Sequence, residues 1–592
     1  MLVRVLDGIR QEAAGTKHAG RYAVGSSEVE KIWQARARAY IHLYLKVMFG
    51  IRSFSQREHY VTDEGRDGGI DGYYIDANSR VVYILQSKFR HSEANFEGKP
   101  IELSELLAMQ IRRVLSGEEH DVQGHEYNGK IKGMQRALTE VYDIGRYTYK
   151  VVILANIVGV SDSDVSKLTD NTPFEIVDYE RSYVELLYPV VSGTLFKAAG
   201  LGITLDLSNK STGAKIGYTV IAEGIECEIS VVYVPTLEIG RILSEYKNSI
   251  LSYNPRSYLE FEGEKVNGAI RNSIIEKSGN EFALLNNGLT IICDESGVND
   301  RSGRRGKAQL FLLNPQIING GQTAYTLSRI YESLEEDKRD AAFEGKEVLV
   351  KTIAVPVDEA DKTHMERRLT LIENISEATN SQTVVTNADR TSGDPVHVEL
   401  QDYLFRQYGI LYERKRGEFA EGIRAGYLDE SDVVQRTKFA RIYLAANQSV
   451  SRAQKKRVTV QDLGPDLVSN RDKLARAVLG LKAFDTITRN RRVASRRSYV
   501  NVLPQMRAAI AASSNFGSDL SARGAAGAEI VTQTWTDFLT YLAKEAPSRV
   551  SRILDYDGQN ERLSLVTAKG TEDRQLETAI DRYYSDRQNL PD

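Results

Sequence analysis

The sequence contains only two cysteines, Cys227 and Cys293, among 592 residues. Two thiols that lie 66 positions apart do not build a zinc site of cysteine ligands, and a single pair is not the framework of a disulfide-rich secreted protein. Sparse cysteine is typical of proteins in a reducing compartment. We therefore expect a cytoplasmic protein.

Long hydrophobic runs are also missing. The longest apolar stretch runs from about Val151 to Val160, far short of the ~20 residues that span a bilayer. The N-terminus reaches Asp7 too early for the apolar core of a secretory signal, and no repeat of fixed period is present. These features argue against a membrane protein, a secreted protein and a solenoid.

The whole chain has no large excess of charge of one sign, but individual regions do. The chain has 77 Lys and Arg against 81 Asp and Glu, a formal charge of −4. Residues 451–500 carry a net +9 and residues 451–592 a net +6, so the first 450 residues carry −10. Because clustered cations release counterions from nucleic acid, this tail predicts phosphate binding, although a solvated helix face has the same composition. The cations of interest there are Arg491, Arg492, Arg496 and Arg497.

Ordinary globular composition, with 41% hydrophobic and 27% charged residues, gives this length room for two to four domains. The patterning predicts a multidomain α/β (α+β) protein. We divide it into an α/β domain at 1–185, a β-rich connecting region at 186–245, a mixed α/β body at 246–445 and a basic, mostly helical tail at 446–592.

Local patterns predict elements within the first domain. Ser27 and Glu30 form a capping box at the start of a helix that extends to residue 49. The strands expected there are Glu58 to Thr62, Gly72 to Asp76, Val81 to Lys88, Val151 to Val158 and Phe174 to Val177. The helices expected there also include Ile101 to Leu115 and Lys132 to Tyr142.

The chemistry-bearing stretch is Asp67-Gly68-Gly69-Ile70-Asp71-Gly72, followed by an apolar strand and then Gln86-Ser87-Lys88. Gln86 and Lys88 are two positions apart on a strand and leave the same face. A hairpin would bring them close to Asp71. A carboxylate can hold Mg²⁺, which activates water, and an ammonium can stabilise the charge that develops on phosphorus.

These residues resemble the signature of the PD-(D/E)XK nucleases, in particular the Mrr-like branch of restriction endonucleases. The resemblance covers roughly residues 25–185 and implies a mixed sheet flanked by helices. It implies that Asp71, Gln86 and Lys88 are catalytic, that Asp71 and Gln86 bind Mg²⁺ or Mn²⁺, and that Glu30 supplies a further acid. Gln86 stands where an acid is commoner and is a poorer ligand. Asp67 is either a second metal ligand or a turn residue, and we favour the turn. Alternatively, Asp71 is a turn residue as well, and Glu30 only caps its helix.

Four blocks between residues 251 and 420 resemble the AIPR family, named for abortive-infection phage resistance. They are Asn286 to Ile291, Asn314 to Thr323, Ala378 to Gln382 and Tyr412 to Glu418. The resemblance implies anti-phage defence. Gly-rich turns and amides there predict a ligand loop that includes Asn286, Asn287, Asn319, Gln322 and Thr323, unless these residues only satisfy turns and caps. Arg414, Lys415 and Arg416 add candidate contacts to nucleic acid.

Taken together, the sequence predicts a metal-dependent endonuclease that acts on DNA, with RNA not excluded, in abortive infection. We expect a phage-derived or host trigger and no membrane partner, and analogy with nucleases that cut both strands favours a homodimer. The alternative is a non-catalytic protein that binds nucleic acid or senses infection through a degenerate nuclease fold.

Overall fold

A computed structural model describes most of the first 493 residues and two short strands beyond them. The described residues are 1–23, 28–77, 79–90, 92–106, 108–157, 159–195, 201–207, 216–254, 266–277, 279–299, 308–358, 361–380, 395–447, 450–453, 458, 463, 467–493, 554–557 and 562–565. The chain forms two compact units, Met1–Arg390 with Lys415–Glu430, and Thr391–Arg414 with Ser431–Asp592. Among the described helices, none is long and apolar enough to cross a membrane.

The N-terminal region is built on a four-stranded mixed sheet. Its strands are β1 (Gly72–Asp76), β2 (Val81–Ser87), β3 (Thr148–Leu154) and β4 (Phe174–Val177), in that spatial order. β1 and β2 form an antiparallel hairpin, and β2, β3 and β4 run parallel. The helices are Leu2–Gln11, Ala19–Tyr22, Val29–Met48, Phe54–His59, Glu93–Gly98, Ile111–Leu115, Gly129–Glu140, Asp162–Leu168, Tyr179–Arg181 and Tyr188–Ser192.

Both faces of this sheet are covered. Ile84, Val151 and Ile153 share a core with Ile131 and Met134 of the helix Gly129–Glu140. On the opposite face, the Ser87 hydroxyl donates a 2.8 Å hydrogen bond to the carbonyl of Ala37 in the helix Val29–Met48. The continuous apolar run of β3 is the pattern of a strand buried on both sides. The predicted hairpin and the predicted strand Phe174 to Val177 are confirmed.

Two predicted elements are wrong. Glu58 lies in the helix Phe54–His59 instead of a strand, and its carboxylate pairs in the interior with His42 at 3.0 Å and Arg21 at 2.9 Å. Among the described residues of the predicted helix Ile101 to Leu115, only Ile111–Leu115 are α-helical, and Leu103–Glu105 form a 3-10 turn. The reason is that the Ile101 and Met109 amides donate to carbonyls far along the chain, those of Asn156 and Leu168.

The central strands form two sheets. They are β5 (Gly202–Leu207), β6 (Ile216–Ala222), β7 (Ile225–Pro235), β8 (Leu289–Cys293), β9 (Glu295–Asn299), β10 (Ala308–Leu313), β11 (Gln316–Asn319) and β12 (Glu347–Ala354). The spatial orders are β5-β10-β9 and β11-β8-β12-β7-β6. The strands of the predicted connecting region therefore pair with those of the predicted body, β7 with β12 and β5 with β10.

The remaining helices of the first unit are Thr236–Tyr246, Val266–Ile275, Phe282–Leu285, Gly321–Ser333, Glu336–Phe343, Lys362–Asn380 and Ala420–Arg424. The second unit contains the helices Pro395–Tyr408, Arg436–Ala446, Val450–Ala453 and Arg471–Val493. Its strands are β13 (Leu411–Glu413) and β14 (Val433–Gln435), which pair in parallel, and the antiparallel hairpin of β15 (Leu554–Asp557) and β16 (Arg562–Leu565).

Residues Lys415–Glu430, here called the docking segment, pack within the first unit although the chain on either side belongs to the second. The polar contacts that hold this segment include Lys415 to the Leu251 carbonyl at 3.0 Å, Glu421 to Lys247 at 2.8 Å, Tyr427 to Glu12 at 2.7 Å and Asp429 to Arg4 at 2.6 Å. The docking segment thus contacts both the N-terminal helices and the central region.

Candidate active site

The β1–β2 hairpin brings Asp71 close to the end of β2. The Asp71 amide donates to the Leu85 carbonyl at 2.9 Å, which places Asp71 beside the strand that carries Gln86 and Lys88. One carboxylate oxygen of Asp71, Oδ2, accepts a hydrogen bond from the Ser87 amide at 2.7 Å. Ser87 points its hydroxyl to the opposite helix. Strand alternation therefore directs Gln86 and Lys88 to the other face of the sheet.

Three carboxylates converge at this point. One oxygen each of Asp63, Asp67 and Asp71 lies within 4.8 Å of the other two. Carboxylate oxygens in such a group suit a hard cation such as Mg²⁺ or Mn²⁺. Asp71 is the metal ligand that the sequence predicts, Asp67 is the residue for which the sequence favours turn chemistry over metal binding, and Asp63 carries no sequence prediction.

Asp67 both makes the turn and joins the carboxylate group. Its Oδ1 accepts the Gly69 amide at 2.8 Å, and only 8% of the residue is exposed. Gly68 and Gly69 both have positive φ, +66° and +75°, a backbone conformation that favours glycine. The two glycines therefore let the loop turn tightly enough to bring Asp67 next to Asp71.

Backbone hydrogen bonds lock Asp63 into the group. The amides of Thr62 and Asp63 both donate to the Asp71 carbonyl, at 2.9 and 3.1 Å. Arg38 forms a 2.8 Å ion pair with the Asp63 carboxylate. The three aspartates recur every fourth residue, a spacing that is visible in the sequence but that reads as a helix face. The structure instead gathers them through a loop.

The electrostatics of the group favour a bound cation. Burial, reinforced by the charge of Asp63, raises the pKa of Asp67 to about 6. Burial also raises the pKa of Asp71 well above its usual range, and the charges of Asp63 and Asp67 add to this shift. The Ser87 amide and the Lys88 ammonium act in the opposite direction. A divalent cation would relieve this repulsion between carboxylates.

Gln86 and Lys88 differ in their burial and in their contacts. Gln86 is 2% exposed, and its Nε2 donates a 2.9 Å hydrogen bond to the Gly69 carbonyl, which braces the turn that carries Asp67. Lys88 is half-buried, and its positive charge acts to lower the pKa of Asp71. The Lys88 amide donates to the Leu154 carbonyl of β3 at 3.0 Å, so its backbone is fixed by the sheet.

Glu30 is not part of the carboxylate group. It is exposed in the first turn of the helix Val29–Met48, whose N-cap is Glu28 and makes no side-chain capping hydrogen bond. The predicted capping partner Ser27 lies outside the described residues. The acids that accompany Asp71 are thus Asp63 and Asp67.

Most side chains of the predicted ligand loop form hydrogen bonds with other parts of the protein. Asn286 Nδ2 donates to the Thr323 hydroxyl at 2.9 Å, and Asn319 Nδ2 donates to the Thr379 carbonyl at 2.7 Å. Gln322 Nε2 lies 3.3 Å from the side-chain oxygen of Asn267. These contacts support the structural alternative for Asn286, Asn319, Gln322 and Thr323. Asn287 is exposed on the same loop.

The candidate nucleic-acid contacts differ in how far they are exposed to solvent. Lys415 is only 6% exposed, and its ammonium binds the carbonyls of Leu251 and Ser252, which argues against a contact of this residue with nucleic acid. Arg414 is half-buried and Arg416 is exposed. Arg491 and Arg492 lie in the helix Arg471–Val493, whereas Arg496 and Arg497 lie outside the described residues.

Comparison with known proteins agrees with one of the two sequence resemblances. The family model described as AIPR protein matches residues 251–588, more than half of the chain. All four predicted blocks fall inside this match, which also extends through most of the basic tail. No curated protein and no solved structure matches the chain.

Proposed function

Because this chain belongs to the AIPR family, which suggests abortive infection and anti-phage defence, we propose that it is a nuclease effector of that defence. The N-terminal region would hydrolyse phosphodiester bonds of DNA with Mg²⁺ or Mn²⁺. The observation that carries the proposal is the approach of Asp63, Asp67 and Asp71 to within 4.8 Å beside the end of β2, which Lys88 directly follows.

The residues present fit a divalent cation. Mutual repulsion and burial raise the pKa of both Asp67 and Asp71, and this cost is relieved when a cation is shared between them. The donors are all oxygens, which is the ligand set that Mg²⁺ and Mn²⁺ prefer. The bound metal would polarise the scissile phosphate and lower the pKa of a coordinated water.

The protein side chains would divide the remaining work. The Lys88 ammonium would orient a water and stabilise negative charge on the phosphate oxygens as it develops. Gln86 would act as a positioning residue, because its amide holds the Gly69 carbonyl and with it the turn that carries Asp67. Asp71 is held by the Ser87 amide, so little reorganisation accompanies metal binding.

Substrate capture is proposed for the AIPR-like part of the chain. Arg416 is exposed, and the tail contributes a net +9 over residues 451–500. Phosphate contacts of this type bind DNA or RNA without reading sequence. A phage-derived or host trigger and a homodimer remain part of the proposal.

A second candidate is a non-catalytic regulator that binds nucleic acid or senses infection. One observation favours it: position 86 carries an amide whose Nε2 is engaged in a structural hydrogen bond, instead of an acid that would bind metal. Lys88 and the carboxylate group favour the nuclease, because a purely structural hairpin has no need to bury like charges together.

The test uses the purified full chain with Mg²⁺ or Mn²⁺ on supercoiled plasmid, linear DNA and RNA. Asp71→Ala and Lys88→Ala should each abolish cleavage and phage protection. Asp76→Ala, at the opposite end of β1, is the matched control. If cleavage and protection both persist in Asp71→Ala and Lys88→Ala, the nuclease proposal fails. Protection that persists after loss of all cleavage supports the regulator.

A further inference from the structure

A cavity of about 170 Å³ lies in the first unit next to the docking segment. It is lined by Lys46, Arg52, Val190, Gly193, Leu195, Lys247, Glu421, Ala425 and Tyr427. The N-terminal helices, the 190–195 turn and the docking segment all contribute to it. None of these residues belongs to the candidate active site.

The charges around this cavity are unbalanced. Lys46, Arg52 and Lys247 line it, and Glu421 is the one carboxylate among the lining residues. The side chains behind them add Arg57 and Glu12, which are in contact with each other. Burial, together with the charge of Arg57, lowers the pKa of Lys46 despite its pairing with Glu12. Among the described residues, three cations and one carboxylate therefore line the cavity, and Arg57 and Glu12 behind them pair with each other.

Each lining cation is already held in place. Lys46 donates to Glu12 at 2.9 Å and to the Tyr427 hydroxyl at 2.7 Å. Lys247 donates to Glu421 at 2.8 Å, and Arg52 donates to the carbonyls of Ser244 and Glu245 at the end of a helix. An anion that enters would meet fixed positive charges, so binding would cost little side-chain entropy. The carbonyls near Arg52 carry only partial negative charge.

A second observation indicates the size and the polar groups of the ligand. Glu421 Oε2 is shielded from solvent and accepts no hydrogen bond from the described residues. It is available for a hydroxyl donor. Val190, Leu195 and Ala425 supply an apolar wall. The cavity has the volume of about six water molecules, enough for a phosphate group and a few carbon atoms.

We propose that this cavity binds a phosphate group, either free or as the end of a small hydroxylated phosphate monoester. Such a group carries close to two negative charges at neutral pH, and the described lining residues hold three cations against one carboxylate. The Glu421 oxygen would accept a hydroxyl of the same ligand. Because the cavity contacts both the N-terminal helices and the docking segment, the ligand would strengthen their attachment.

The test is isothermal titration of the full chain with sodium phosphate, ribose 5-phosphate and ribose, at constant ionic strength in EDTA. EDTA removes metal from the candidate active site, so metal-dependent phosphate binding there does not contribute. We expect one saturable site for phosphate and none for ribose. Tighter binding of ribose 5-phosphate identifies a monoester, and weaker or absent binding identifies free phosphate. No saturable binding of either phosphate compound would refute the proposal.

Variants locate the binding. Lys247→Met should weaken binding at least tenfold, and Ala425→Trp should abolish it by filling the cavity while leaving every charge in place. Ala425 is exposed, so this second variant does not depend on tolerance of the buried ion pairs. Lys338→Met, at an exposed helix position, and Lys88→Ala should bind like the wild type. Unchanged binding in both cavity variants, or its loss in Lys88→Ala, would place the phosphate elsewhere.

Discussion

The carboxylate oxygen Oδ2 of Asp71 accepts a 2.7 Å hydrogen bond from the backbone amide of Ser87. This bond ties the residue before β1 to the residue between Gln86 and Lys88. It orients the Asp71 carboxylate with respect to Lys88 while the Ser87 side chain anchors the helix Val29–Met48 through Ala37. A carboxylate fixed in this way is suited to bind a metal without rearrangement.

Asp63 is expected to be a ligand of the divalent cation. Asp63→Asn removes one of three converging charges, so Mn²⁺ affinity should fall by about tenfold or more, the range seen when residues that support metal sites are lost. Equilibrium titration with Mn²⁺ measures this directly. Asp76→Asn is the control at the far end of β1, and equal affinities for both variants would remove Asp63 from the site.

Asp67 is expected to make stability depend on pH in the absence of metal. Its pKa rises from 3.8 to about 6 on folding. Below pH 4 the carboxyl is protonated in both states and its stabilising contribution is complete; that contribution is lost as the pH rises through about 6. The shift corresponds to about 3 kcal/mol of unfolding free energy at neutral pH.

Denaturant unfolding between pH 4 and pH 8 in EDTA measures this effect. Asp67→Asn should flatten the decline in unfolding free energy relative to Asp76→Asn. Mg²⁺ should raise the melting temperature more at pH 7.5 than at pH 5, because Asp67, whose pKa is raised to about 6, is fully ionised only at the higher pH. An identical pH profile for the wild type and Asp67→Asn would contradict the burial of a strained carboxylate.

Gln86→Glu is expected to destabilise the protein when metal is absent. A glutamate cannot donate to the Gly69 carbonyl, and it adds a fourth carboxylate close to three others. The loss should be about 1–3 kcal/mol of unfolding free energy, the usual cost of an unmade buried hydrogen bond. Gln86→Met separates the two causes, since it removes the donor without adding charge.

The stability of Gln86→Glu is expected to depend on whether Mg²⁺ is present. If Glu at position 86 reaches the cation, Mg²⁺ should restore the stability of Gln86→Glu but not that of Gln86→Met, and cleavage should be retained or raised. A Gln86→Glu protein that Mg²⁺ fails to stabilise would show that position 86 serves only to hold the turn.

Replacing Lys415 should destabilise the protein much more than replacing its neighbour Arg416. Lys415→Met leaves the Leu251 and Ser252 carbonyls without their buried donor, so the unfolding free energy should fall by about 1–3 kcal/mol. Arg416→Met, at an exposed position, should change stability by less than about 0.5 kcal/mol. Unfolding titrations of both variants test this, and a larger loss in Arg416→Met would reverse the assignment.

The basic tail is expected to set the salt dependence of nucleic-acid binding. Replacing Arg491, Arg492, Arg496 and Arg497 with alanine should reduce the slope of log K against log salt by about 0.9 for each phosphate contact that is lost. Fluorescence anisotropy with labelled duplex DNA between 50 and 200 mM salt measures the slope. Lys338→Ala is the control, and an unchanged slope would assign the four arginines to a solvated helix face.

Several features of this protein could be predicted because they depend on neighbouring residues. β1 and β2 are joined by a short turn and alternate with a period of two, so the convergence of Asp71 with the Gln86 and Lys88 strand follows from local geometry. The apolar run of β3 likewise predicts a strand buried on both faces. The AIPR family could be identified because its short sequence blocks and their order can be read directly from the chain.

Other features depend on contacts between distant parts of the chain. Asp63 joins the carboxylate group because two amides bind the Asp71 carbonyl, and Lys415 is buried because its ammonium meets carbonyls more than 160 positions earlier. The Glu58 carboxylate is paired with His42 and Arg21 in the interior, and the Ile101 and Met109 amides donate to the Asn156 and Leu168 carbonyls instead of continuing an α-helix. Residue type and spacing determined what chemistry this chain carries. Only the tertiary structure decided which charges share a site and which hold the fold, because burial and long-range pairing set the energy of every charged group.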